Sequence, residues 1–196
     1  KVGLRINFDL ENYCKGETIM GNEPGRFGFN IENGSFNRAL KKLKDIPYVK
    51  VVGIHGHHST RTKSLNIFKV ISEKLSEIGM VIGENLEYID IGGCIFGDKP
   101  GAPSFDEYAK IIVDKLEKNF DAEKVALILE PGAALVASPF MYLCKVIDKK
   151  DVGEHRIVTT NGSCIHIDPQ MHNIKFYQEC YGSGEVFNNR QIISGF

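Results

Sequence analysis

Tyr48-Val-Lys-Val-Val-Gly-Ile-His-Gly-His-His-Ser-Thr60 decides the reading of this chain. It opens as an apolar strand over Tyr48–His55 and ends in three histidines and two hydroxyls. A helical pattern follows at once. Ser64–Ile78 offers Leu65, Phe68, Ile71, Leu75 and Ile78 on one face, with Gly79 as its expected stop. An apolar strand that ends in polar residues and hands over to an amphipathic helix is one βα unit.

The same unit recurs on both sides. Val2–Asn7, Leu86–Ile91 and Val125–Glu130 read as further strands. Ser35–Lys44 presents Phe36, Ala39, Leu40 and Leu43 at helical spacing. Ser104–Phe120 presents Phe105, Tyr108, Ile111, Ile112 and Leu116. Ser35, Ser64 and Ser104 are the expected N-caps, each hydroxyl accepting from a free first-turn amide. Strands alternating with helices imply parallel pairing through right-handed crossovers. In a (β/α) barrel the chemistry gathers at the C-terminal strand ends. Those ends carry the unusual residues here: Arg5 and Asn7, His55 and His57, Asp90 through Cys94, and Glu130 through Ala133.

The pattern changes after Ser138. Met141–Ile147, His155–Thr160 and Ile174–Gln178 read as strands, with Asp148–Gly153 and Asn161–Ser163 as turns and no helix signal. The expected organisation is an α/β unit over residues 1–138 and part of an all-β domain over 139–196, joined near Ala137–Phe140.

Bulk properties exclude more than they assign. The 196 residues are 42% hydrophobic and 25% charged, as in ordinary globular chains able to bury a core. A formal net charge of -1 makes no electrostatic case for nucleic acid or a membrane surface. No apolar run is long enough for a transmembrane helix. The opening Lys-Val-Gly-Leu-Arg-Ile-Asn-Phe reads as a strand and lacks an initiator Met, so an upstream segment is expected to have been removed. The five cysteines are scattered, odd in number and without metal-type spacing, so a reducing cytoplasm is expected.

Three motifs bear on chemistry. In Gly53-Ile-His-Gly-His-His-Ser-Thr60, His55 and His57 share a strand face and His58 points away. They read as polar mouth residues, as metal ligands, or as a flat imidazole against a cofactor ring with hydroxyls beside a phosphate. A metal site needs further ligands, and no acidic residue is close in sequence, so no metal is expected. In Tyr88-Ile-Asp-Ile-Gly-Gly-Cys-Ile-Phe-Gly97 the glycines let backbone approach an anion, although alone they read as a tight turn. In Leu129-Glu-Pro-Gly-Ala-Ala-Leu-Val-Ala137 a carboxylate closes a strand. It either caps a loop or meets a cation in the barrel mouth.

Taken in order, Leu4-Arg-Ile-Asn, Gly25-Arg-Phe-Gly, the histidine turn, Ile89-Asp-Ile-Gly-Gly and Glu130-Pro-Gly resemble the fold type III pyridoxal-phosphate (PLP) decarboxylases. Diaminopimelate and ornithine decarboxylases belong to that group. The resemblance implies the second half of an alanine-racemase-like (β/α)8, TIM-like barrel, followed by the start of a β-domain. It implies PLP as cofactor, an amino acid as substrate and a homodimeric parent enzyme. It gives Glu130 the pyridine nitrogen and His57 the ring face. Ser59 or Thr60, Thr60 by spacing, takes the phosphate. Gly92 belongs to the glycine turn, and backbone at Gly93, Cys94, Gly132 and Ala133 completes the cradle. Arg5 has a supporting place at the mouth.

Three departures from the family pattern shape the expectation. The family's Schiff-base lysine lies on the first barrel strand, whereas this chain begins at a segment like the fifth. The chain is thus expected not to decarboxylate alone. The partner-reaching cysteine and tyrosine would fall past Phe196. The residue after Glu-Pro-Gly is commonly arginine, and here it is Ala133. A methyl cannot replace a guanidinium on a distal carboxylate, so a siderophore or secondary-metabolite substrate gains weight over diaminopimelate. Cys94 stands in place of a third glycine. A regulatory relative without the chemistry and a racemase of the same cofactor class are the competing readings. A half barrel with open edges is expected to self-associate.

Overall fold

The computed structural model describes residues 1–23, 25–97, 101–136, 140–169, 178–182 and 191–195. The chain divides into two compact units, Lys1–Pro139 and Phe140–Phe196. The expected junction falls mainly on residues 137–139, outside the described ones.

The first unit runs β1 (Val2–Asn7), β2 (Phe29–Asn30), α1 (Ser35–Lys44), β3 (Val51–Gly56), α2 (Leu65–Ile82), β4 (Tyr88–Gly93), α3 (Phe105–Leu116), β5 (Ala126–Glu130) and α4 (Ala133–Val136). Its strands form one sheet in the order β2-β1-β3-β4-β5, and every described pairing is parallel. The period-two alternation divides the sheet into two faces. Leu4 and Ile6 of β1, Ile54 of β3, and Ile89 and Ile91 of β4 are buried in a core with Phe68, Ile71 and Leu75 of α2 and Tyr108 and Ile112 of α3. Each such burial contributes roughly 1.5–3 kcal/mol. Phe68 and Tyr108 meet edge to face at 5.0 Å, and the Tyr108 hydroxyl donates to the Lys63 carbonyl at 2.5 Å.

The opposite face carries the residues between. Register aligns Gly3 with Gly53 and Gly53 with Tyr88. The Tyr88 ring occupies the space that side chains on both glycines would need. One layer nearer the C-terminal ends, Arg5 pairs with His55 and His55 with Asp90. A single aromatic ring therefore floors a polar row.

The structure revises three local expectations. Gly79 does not stop α2, which continues to Ile82 and ends at Gly83 with φ +68°. Gly79 is buried, and a Cβ there would sit 2.6 Å from the Phe120 ring and 3.0 Å from Leu86. It is a packing position inside the helix. Ser35 is the first helical residue and not the cap; Gly34 takes the N-cap place without a side-chain bond. The Ser35 hydroxyl instead donates to the Asn30 carbonyl at 2.9 Å. Ser64 and Ser104 do cap α2 and α3, and Ser104 forms a reciprocal box with Glu107. The third helix is shorter than expected, ending at Leu116.

The second unit holds β6 (Val146–Val152), β7 (His155–Thr160) and β8 (Gln191–Ser194). β6 and β7 are antiparallel, and β7 and β8 are parallel. Asp148–Gly153 was expected to be a turn, but Asp148–Val152 belong to β6. The turn is only Gly153-Glu154, with Gly153 at φ +60° and Val152 facing His155. A glycine first in a two-residue hairpin loop suits the twist of the strands. Cys164–His166 adds a short 3-10 turn where no helical signal was read. The expected strand Ile174–Gln178 lies almost wholly outside the described residues.

Candidate active site

Parallel register brings chemistry from separate strands to one rim. Arg5, His55 and Asp90 lie side by side on β1, β3 and β4. A register shift between Asp90 and Gly93 then pairs Gly93 with Glu130 on β5. His55 Nε2 and Glu130 Oε2 are 3.9 Å apart, too far for a hydrogen bond. His55 Nε2 is buried without a hydrogen-bond partner among the described residues. Glu130 is about half exposed, with 55% of its side chain accessible. It can therefore still take a partner.

His57 lies just beyond β3. Its ring stacks near that of His55, with centroids 6.3 Å apart and planes 22° from parallel. The Gly93 amide donates to His57 Nδ1 at 3.3 Å. The Gly92 amide donates to Asp90 Oδ1 at 2.8 Å. Gly92 has φ +72°, and a Cβ there would lie 2.6 Å from His57 Nδ1. A Cβ on Gly93 would run into the Glu130 carbonyl. The glycine pair is thus required by contact with both the imidazole and the β5 backbone.

Arg5 reaches the same cluster from β1. Its Nη2 donates to the His57 carbonyl at 2.9 Å, and its guanidinium lies 4.9 Å from the centroid of the Phe27 ring. Burial pulls the Arg5 pKa down, while Glu130 and Asp90 push it back up. Burial, then Arg5 and His55, hold His57 below the ordinary histidine range. His58 points elsewhere: its ring packs against Phe8 at 4.5 Å, and burial pushes its pKa down to about 4.

The remaining sequence-predicted residues cluster less tightly. Thr60 Oγ1 lies 3.9 Å from Cys94 Sγ, so the hydroxyl turn and the glycine turn meet. Cys94 adopts φ +72°, a left-handed conformation usually left to glycine. Cys94, in place of a third glycine, thus holds a backbone conformation that a side chain disfavours. Ser59 lines an open cavity of about 400 Å³ with Arg5, Asn7, Phe27, His57 and His58. Gly132, at φ +51°, and Ala133 lie where β5 passes into α4.

The sequence places His55 and Asp90 at strand ends without a cofactor role, which the resemblance gives to Glu130 and His57. The alignment of His55 and Asp90 depends on cross-strand register. His55, Asp90 and Glu130 offer ligand atoms within 4.8 Å of one another. The structure thus supplies across three strands the acidic neighbours that the local sequence lacks. A set of one imidazole and two carboxylates can hold a divalent cation or a protonated ring nitrogen.

Comparison with known proteins identifies the family. A family described as pyridoxal-dependent decarboxylase, pyridoxal binding domain, matches residues 1–137. Diaminopimelate decarboxylase of Zymomonas mobilis is 30% identical over 164 residues, covering 80% of this chain and 38% of that protein. The Methanocaldococcus jannaschii enzyme is 29% identical over 153 residues, covering 74% and 35%. The crystal structure of the M. jannaschii enzyme superposes with TM-score 0.73 at 25% identity, covering 87% of this chain and 41% of that one. The Helicobacter pylori enzyme in complex with L-lysine superposes with TM-score 0.74 at 20% identity, covering 98% and 48%, and supports the fold alone. The chain spans less than half the length of these relatives. Its first unit is a portion of their α/β barrel, and its second is part of a β-domain. Among the described residues, no helix is long and apolar enough to cross a membrane. The chain belongs to the pyridoxal-dependent decarboxylase family, whose pyridoxal binding domain it resembles over residues 1–137.

Proposed function

We propose that the protein built around this domain decarboxylates an amino acid with PLP, and that the rim of β1, β3, β4 and β5 is its cofactor face. One observation carries the proposal: Glu130, His57 and the glycine turn converge on one rim. The fit with PLP is chemical as well as spatial. Glu130 is accessible, and a carboxylate beside a pyridine nitrogen favours the protonated ring. Bound PLP supplies an electron sink for the bonding pair released as carbon dioxide leaves. His57 presents a flat ring, held neutral near pH 7 by burial and by Arg5. Thr60, with Ser59 adjacent, offers a hydroxyl to the phosphate. Gly92, Gly93, Cys94, Gly132 and Ala133 shape the backbone around it. Asp90 fixes the turn through the Gly92 amide.

The substrate is an amino acid whose distal group does not depend on an arginine after Glu-Pro-Gly, because Ala133 stands there. That favours a siderophore or secondary-metabolite substrate over diaminopimelate. The parent enzyme works as a cytoplasmic homodimer. The lysine that holds PLP covalently is none of those in this chain. Mixing the purified chain with PLP and reducing with borohydride tests this. No labelled lysine is expected, and stoichiometric labelling of one lysine would refute it. Carbon dioxide release by the longer protein from labelled amino acids tests the reaction. Release is expected to fall at least tenfold in Glu130→Gln. Tight PLP binding with no release from any amino acid would favour a regulatory relative.

A further inference from the structure

Among the rim residues, His57 has its surroundings most fully specified. Each ring nitrogen of a neutral imidazole has one role: one donates and the other accepts. The Gly93 amide is a donor only, and it points at Nδ1 from 3.3 Å. Nδ1 must then be the acceptor, which leaves the proton on Nε2. We propose that the glycine turn fixes the tautomer of His57 as Nε2–H, and that Arg5 fixes its seating by holding the His57 carbonyl. Neither residue is catalytic in this proposal; both are positioning residues acting through His57.

Three observations support the proposal beyond the single hydrogen bond. A Cβ at Gly92 would stand 2.6 Å from Nδ1 and 2.7 Å from the His57 Cβ. The turn therefore lies flush against the acceptor edge, and only glycine permits it. Asp90 accepts from the Gly92 amide at 2.8 Å, which braces the turn from β4. Arg5 donates to the His57 carbonyl at 2.9 Å and is itself backed by the Phe27 ring. The charged and titratable groups acting on His57 are Arg5 and His55, which disfavour its cation, and Glu130 and Asp90, which favour it. Burial is the largest influence and acts with Arg5. A neutral ring with a fixed proton follows. The inference extends the proposed cofactor role, because a fixed ring is what a cofactor face needs. The tautomer itself can be read without any cofactor.

Nitrogen-15 NMR of histidine-labelled chain at pH 7 tests this directly. His57→Gln assigns the resonance among the six histidines. The expected spectrum shows His57 with an unprotonated Nδ1 and a protonated Nε2. Solid-state spectra read the same tautomer if the chain self-associates. Arg5→Met is expected to keep the tautomer and to shift or broaden the His57 ring resonances, because the carbonyl that seats the residue loses its donor. Gly92→Ala is expected to lose the tautomer preference. A wild-type His57 that is Nδ1–H, or an even mixture, overturns the proposal whatever the variants do. His57 ring resonances that stay unmoved and equally sharp in Arg5→Met overturn the part assigned to Arg5. Neither result depends on PLP, so failure here is distinct from failure of the decarboxylase reading.

Discussion

The two faces of the first sheet differ by a one-residue step and by nearly everything else. Ile54 is fully buried in the core on the α2 side of the sheet, and the next residue, His55, carries a buried ring nitrogen without a hydrogen bond among the described residues. Leu4 and Arg5, and Ile89 and Asp90, repeat the contrast on neighbouring strands. One face spends its residues on apolar burial, which stabilises. The other keeps polar groups incompletely satisfied, which costs stability and leaves them available to a ligand. Strand alternation separates stability from chemistry without separating them in sequence.

The sharpest way to break this contrast is to truncate each side of one step. Ile54→Ala should lower stability by about 2–5 kcal/mol, read from the urea midpoint, because a fully buried branched side chain leaves a cavity. His55→Ala, one position on, should cost less than about 1 kcal/mol, because it also removes a buried unsatisfied nitrogen. Equal losses would end the division. Next in size is the α2–Phe120 contact. Gly79→Leu should destabilise by roughly 1–3 kcal/mol through overpacking, despite a helix-propensity gain of about 1 kcal/mol. A stabilised variant would show that Gly79 is not a packing position.

Gly79 also shows where the sequence is legible and where it is not. The apolar spacing of Leu65, Phe68, Ile71 and Leu75 is local, so the helix and its buried face could be read directly. Its end could not, because Phe120, 41 residues away, decides whether Gly79 is a stop or a contact. The same holds at the rim. His57 and Glu130 stood out because they close strands beside glycine and proline. His55 and Asp90 gain meaning only when β1, β3 and β4 are in register. The hairpin error has a similar source: Asp148-Lys-Lys-Asp151 looks like a turn in composition, yet β7 pairs with it throughout.

Two smaller effects sharpen the comparison. Ser104→Ala removes one half of the α3 capping box and should cost about 1 kcal/mol in thermal or chemical melts. It should leave His57 unmoved, since α3 belongs to the stabilising face. His58 should show itself only in acid. Its folded pKa is pushed down to about 4, below the ordinary 6.5. Between those values the unfolded chain binds a proton that the folded chain does not. His58 therefore subtracts stability as pH falls from about 6.5 to about 4, and no further below that. His58→Leu should flatten that part of the stability–pH curve. An unchanged curve would mean that His58 is not held neutral.

The most direct test is an equilibrium titration of PLP onto this chain by fluorescence, comparing wild type with Glu130→Gln. Saturable, non-covalent binding is expected in wild type. It should weaken about ten- to a hundredfold in the variant, the loss of one charge-assisted hydrogen bond worth about 1.5–3 kcal/mol. Equal affinity in both proteins, or none in either, would contradict a cofactor face anchored at Glu130.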